Sequence, residues 1–73
     1  MNEIDSVIVR EAGNDFFALA IADSMQEIKY VEVFSIVCND SIWYVFAKYD
    51  SSFVTPDIID ENIKKNTTKR ELF

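Results

Sequence analysis

YVEVFSIVC at residues 30–38 and SIWYVFAKY at residues 41–49 are the two stretches that decide the fold. Both are rich in Val, Ile, Phe, Tyr and Trp, which are the residue types that favour β-strands. Asn39 and Asp40 separate the two stretches, and both residue types are common in tight turns. The sequence therefore predicts an antiparallel β-hairpin with a two-residue turn at Asn39-Asp40.

Both faces of this hairpin are largely apolar. Side chains alternate between the two faces of a strand. Tyr30, Glu32, Phe34, Ile36 and Cys38 share one face of the first strand, and Val31, Val33, Ser35 and Val37 share the other. A sheet with one solvated face would show a more regular alternation of apolar and polar residues. We therefore expect the second face to be covered, either by a helix or by another copy of the chain.

The segment before the hairpin begins with a predicted strand at residues 4–11 and a turn at residues 12–15. Residues 16–29 then fit either a helix or a strand. A helix would place Phe17, Ile21, Met25 and Ile28 on one apolar stripe, whereas a strand would make Gly13-Asn14 a hairpin loop. Three alanines, at positions 18, 20 and 22, favour the helix.

The segment after the hairpin contains a helix start at Thr55-Pro56-Asp57, with Thr55 as the N-cap and Pro56 at the first helical position. We expect this helix to continue to about residue 66, although KRELF at residues 69–73 could extend it. The predicted class is α+β with a small antiparallel sheet, in the order strand, helix, strand, strand, helix. A four-stranded meander followed by one C-terminal helix is the alternative. Residues 1–66 would form a single compact domain, followed by a basic tail at residues 67–73.

Charge is distributed unevenly along the 73 residues, whose net charge is −6. Residues 1–63 contain twelve acidic and three basic residues, whereas the last ten contain four basic residues and one acidic. An acidic body disfavours direct binding to nucleic acid and favours a cationic protein as partner. The sequence shows neither a signal peptide nor an apolar run long enough for a membrane helix, so we expect a cytoplasmic protein with no membrane contact.

Catalytic residues are scarce. The chain has no histidine, which removes the commonest general base and metal ligand at neutral pH. Cys38 lies beside Asp40 and is expected to fill a small buried apolar position. Asp57, Asp60 and Glu61 have a spacing that could hold a divalent cation, but acids in a first helical turn also stabilise the helix dipole. We predict no enzyme activity, no metal and no cofactor; Glu32, a lone acid among apolar neighbours, is the only distinctive enzymatic candidate.

The leading hypothesis is a small non-enzymatic protein that inhibits or modulates a cationic partner, such as a nucleic-acid-binding protein. Its size and acidity are comparable to those of phage-encoded inhibitors of restriction and CRISPR systems, some of which mimic nucleic acid, although no motif indicates a family. The alternative is an assembly subunit that forms a homodimer through its apolar sheet face. The residues expected to contact a partner are Glu32, Trp43, Tyr44, Tyr49, Asp50, Asp57, Asp60 and Glu61.

Overall fold

The computed structural model describes the backbone of residues 4–71 and the side chains of residues 4–67. Its five elements are β1 (Ser6–Ala12), α1 (Asp15–Gln26), β2 (Val31–Asn39), β3 (Ile42–Tyr49) and α2 (Pro56–Glu71). The three strands form one antiparallel sheet in the order β1-β3-β2. The predicted α+β class with a small antiparallel sheet is therefore confirmed.

The segment at residues 16–29, for which the sequence allowed a helix or a strand, contains the helix α1. The four-stranded alternative is therefore wrong. Asn14 caps α1, because its side-chain oxygen accepts a hydrogen bond from the backbone N–H of Phe17 at 2.9 Å. Ile21 and Met25 of the predicted stripe are buried, and Phe17 and Ile28 pack against the same core. Small alanines beside this stripe let α1 lie close to the sheet.

The hairpin turn lies one residue later than expected. Asn39 pairs with Ile42, which leaves Asp40 and Ser41 as the two turn residues. Both have positive φ angles, 53° and 69°. Two consecutive left-handed residues make the type I′ geometry that matches the twist of a β-hairpin. The strand ladder therefore selects this turn, although neither residue is glycine.

Both helices contribute to one core on a single side of the sheet. The fully buried side chains include Met25 of α1, Val45 of β3 and Ile59 of α2. α1 packs against all three strands, and α2 packs mainly against α1. In the described part of the chain, no helix is long and apolar enough to cross a membrane.

α2 begins as predicted and includes part of the segment that could extend it. The hydroxyl of Thr55 accepts a hydrogen bond from the N–H of Ile58, which confirms Thr55 as the N-cap. The helix continues past residue 66 to Glu71. Thr67 lies within the helix, and its hydroxyl donates to the carbonyl of Ile63 at 2.8 Å. The domain boundary that we predicted at residue 66 stays a prediction, and the side chains of the last six residues lie outside the described part.

Candidate interaction surface

The sheet has two faces of different character, which the strand register identifies. Directly paired residues of antiparallel strands project to the same side. The inner face contains Ile8, Val31, Val45, Ala47 and Tyr49, all buried beneath the helices. The open face is defined by the strand residues whose register places them on the opposite side: Val7, Val9, Glu11, Glu32, Phe34, Ser35, Val37, Asn39, Ile42, Tyr44, Phe46 and Lys48.

The open face is apolar and exposed. Val7 is 62% exposed and Phe34 is 51% exposed, and Val9, Val37 and Ile42 each have more than a third of their surface in solvent. Large apolar side chains are ordinarily buried, and a contiguous exposed patch of them marks an interaction site. The expected cover for the second face is therefore absent from the described part of this chain.

A β-bulge between Val33 and Ser35 shapes the middle of the open face. One extra residue on β2 allows Phe34 and Ser35 to lie on the same side of the sheet. The Phe34 ring lies next to Phe46, with the ring centroids 6.1 Å apart. The bulge thus adds an aromatic side chain to the centre of the patch, at a position where regular alternation would hold a single residue.

The charges of the open face lie at its two ends. Lys48 pairs in register with Val7 on one side and with Glu32 on the other, at the end of the sheet near Asp50. Glu11 pairs with Tyr44 toward the opposite end. Lys48 makes no salt bridge among the described side chains. Its ammonium group is therefore available to a partner.

The predicted contact residues fall into three separate environments. Glu32 and Tyr44 lie on the open face. Trp43 and Tyr49 project to the inner face, where Tyr49 is buried and Trp43 packs against the core. Asp50 is also buried, and its carboxylate accepts from the N–H of Ser52 at 2.9 Å. Tyr49 and Asp50 are therefore largely shielded from solvent.

The remaining predicted contacts are the three acids of α2. Asp60 binds Arg10 through two hydrogen bonds, from Nε to Oδ1 at 2.6 Å and from Nη2 to Oδ2 at 2.8 Å. This guanidinium holds the pKa of Asp60 below its ordinary value. Asp57 and Glu61 are exposed and line a shallow groove of about 790 Å³ with Ile28 and Ile58. We call this the α2 groove.

The predicted contact residues include only two members of the open face, Glu32 and Tyr44. Val7 and Val9 belong to it because β1 pairs with β3, a contact between distant parts of the chain that local patterns do not encode. The alternation in the hairpin did indicate a second apolar face. It could not place Phe34 and Ser35 on the same side, because the bulge shifts the alternation.

Cys38 is exposed, so the expectation of a buried position is wrong. It lies near the far end of β2, where the last three residues, 37–39, are all exposed. The hairpin therefore extends beyond the part of the sheet that the helices cover. Among the described residues, no group of three or more Cys, Asp and Glu side chains is arranged to hold a metal ion.

Comparison with known proteins found no family model that matches the chain, and no curated protein or solved structure that matches it.

Proposed function

We propose that this protein is a non-enzymatic interaction protein that associates with a second copy of itself through the open face. The observation that carries the proposal is the exposure of apolar side chains across that face, led by Val7 and Phe34. Exposed apolar surface is unfavourable by about 25 cal/mol per Å² relative to a buried state, so its removal from water favours pairing. The helices are already packed on the inner face and do not compete for the open one.

The proposal also predicts which surfaces of the two copies lie on the outside of the dimer. In a face-to-face pair, the two sheets lie in the middle and the helices lie outside. The acids of α1 and α2, including Asp15, Asp57 and Glu61, then remain exposed on both outer surfaces. Such a dimer would present an acidic exterior on each side of an apolar centre.

Sedimentation equilibrium of two matched variants tests this proposal. Val9→Asp places a charge in the centre of the open face, whereas Leu19→Asp places the same charge on α1, where Leu19 is 58% exposed. We expect Val9→Asp to abolish self-association and Leu19→Asp to leave it unchanged, with both variants folded by circular dichroism. A wild-type protein that stays monomeric up to about 1 mM, the affinity limit at which binding free energy is only about −4 kcal/mol, would refute the proposal.

A second candidate function is binding of a cationic partner, and the α2 groove favours it. Ile28 and Ile58 supply apolar surface there, and Asp57 and Glu61 supply negative charge. A basic segment with apolar side chains has the complementary chemistry. The acids would accelerate its encounter with the protein and make binding sensitive to salt. This is the function that the overall acidity indicates, and it would use a surface separate from the open face.

A titration with a synthetic lysine- and leucine-rich peptide tests the second candidate. We expect binding that weakens as salt is raised, because ions screen exposed charges over about 8–10 Å at 0.1–0.15 M. Asp57→Asn combined with Glu61→Gln should weaken binding. Glu11→Gln combined with Glu32→Gln removes two acids on the open face and is the control. Equal losses in both variants would show that net charge, and not the α2 groove, determines binding.

A further inference from the structure

The charges on the open face define how two copies can face each other. Lys48 lies near one end of the central strand, and Tyr44 and Glu11 lie side by side toward the other end. A two-fold axis parallel to the strands would place Lys48 against the partner's Lys48. A two-fold axis perpendicular to the strands, in the plane between the two sheets, makes the strands of the two copies run in opposite directions. Lys48 then lies over the partner's Tyr44, one strand away from the partner's Glu11.

We infer that the dimer uses the second arrangement, with the strands of the two sheets running in opposite directions and Lys48 contacting Tyr44 and Glu11 of the partner subunit. This inference rests on the proposed function and specifies its geometry. Packed sheets lie about 10 Å apart, a gap that a lysine side chain and a tyrosine ring fill together. Both arrangements place Lys48 one strand away from a partner carboxylate, Glu11 in this one and Glu32 in the other, but only the other also brings two ammonium groups directly together.

Symmetry makes the arrangement self-complementary. In a two-fold interface every contact occurs twice, so two Lys48–Glu11 contacts form at opposite ends of one apolar centre. Val9 and Phe46 lie in the row between these ends, and Phe34 packs on Phe46. The apolar row would therefore meet its own copy at the two-fold axis.

The size of the face sets the strength of the dimer. Three strands spaced about 4.8 Å apart and about eight residues long cover on the order of 350–400 Å². A stable interface buries about 800 Å² on each partner. This face alone therefore gives a reversible dimer with a dissociation constant in the micromolar range or weaker. The charged contacts then select one arrangement among several of similar apolar area.

Two charge-reversal variants test the arrangement. Lys48→Glu and Glu11→Lys each turn both symmetric attractions into repulsions, and we expect each variant alone to self-associate about tenfold or more weakly than wild type. In a 1:1 mixture, each protomer offers the charge that the other needs. The mixture should therefore form a heterodimer with an affinity within about threefold of the wild-type homodimer. Sedimentation equilibrium of each variant and of the mixture measures all three values.

Two controls separate this result from other causes. Lys65→Glu and Glu61→Lys change the net charge by the same amounts on α2, outside the open face. Their mixture should associate no more tightly than the wild type does. One outcome is that mixing Lys48→Glu with Glu11→Lys fails to restore association, while Val9→Asp still abolishes self-association. In that case the proposed arrangement is wrong and the proposed function stands. If the wild type does not self-associate, both are wrong.

Discussion

Among residues 4–71, three adopt the left-handed backbone conformation, and none of them is the chain's one glycine. Tyr30, Asp40 and Ser41 have φ angles of 73°, 53° and 69°. Side chains disfavour this region, so the surrounding structure must hold each residue in place. Tyr30 stacks on Phe53 with the ring centroids 4.4 Å apart, and its carbonyl accepts from the N–H of Asp50. Asp40 and Ser41 form the turn that the Asn39–Ile42 pair of the hairpin closes.

Ser41→Gly should therefore stabilise the protein. Glycine takes φ near 69° without a Cβ clash, and its greater freedom in the unfolded chain offsets part of the gain. We expect the free energy of unfolding to rise by about 0.5 kcal/mol in urea titrations. Ser52→Gly is the control, because Ser52 is exposed and its φ is not positive. A Ser41→Gly variant no more stable than Ser52→Gly would contradict the idea that the turn is strained.

The Arg10–Asp60 pair makes stability depend on pH. The pKa of Asp60 is lowered by its hydrogen bonds to Arg10, so the carboxylate stabilises the folded state at any pH above its ordinary pKa of 3.8. That contribution is lost as the pH falls through 3.8 toward the lowered value in the folded state. Asp5, whose pKa is also lowered, by hydrogen bonds from Ser51, acts in the same direction.

Asp60→Asn should remove part of the acid sensitivity. Both side chains of the pair are partly exposed, so solvent screening limits the loss at pH 7 to about 0.5 kcal/mol. Chemical unfolding at pH 7 and pH 3 should show a smaller difference for Asp60→Asn than for wild type. Glu61→Gln, an exposed acid on the same helix, controls for net charge. An equal pH dependence in Asp60→Asn and wild type would exclude Asp60 as the responsible group.

Individual elements differ in how much of their structure the sequence encodes locally. α2 begins where its proline and threonine predict, because capping depends on neighbouring residues alone. The sequence allowed either a helix or a strand for the segment that contains α1. The helix forms because its apolar stripe packs on the sheet. The turn position, the bulge and the pairing of β1 with β3 all depend on contacts between strands. These contacts determine the open face, so local patterns could indicate a second apolar face but could not place on it the residues of β1 or those that follow the bulge.

Asn14→Ala should weaken α1 by about 1 kcal/mol, because it removes the oxygen that accepts from the N–H of Phe17. Asn14→Ser keeps a capping oxygen and should lose much less. Since α1 contacts every strand, the loss should appear as lower global stability, with one cooperative transition in circular dichroism and in tryptophan fluorescence from Trp43. Separate transitions for the two probes would show that α1 folds independently of the sheet.

At the scale of the whole molecule, one small core has helices on one side and an open apolar face on the other. A chain of 73 residues buries only a modest fraction of its surface in its own core. Formation of a dimer should therefore add appreciably to its stability. Binding of a second copy stabilises the folded state by about 1.4 kcal/mol at ten times the dissociation constant. For a domain of this size, that gain corresponds to a rise in Tm of about 6–11 °C.

The Tm of the wild type should therefore rise with protein concentration, whereas the Tm of Val9→Asp should stay constant. Differential scanning calorimetry between about 10 µM and 1 mM covers the range of dissociation constants expected for so small an interface. Leu19→Asp should follow the wild type, because residue 19 lies on α1 and outside the open face. A concentration dependence that persists in Val9→Asp and disappears in Leu19→Asp would place self-association on the helices. The acidic surface would then be part of the interface, and the open face would be left for a different partner.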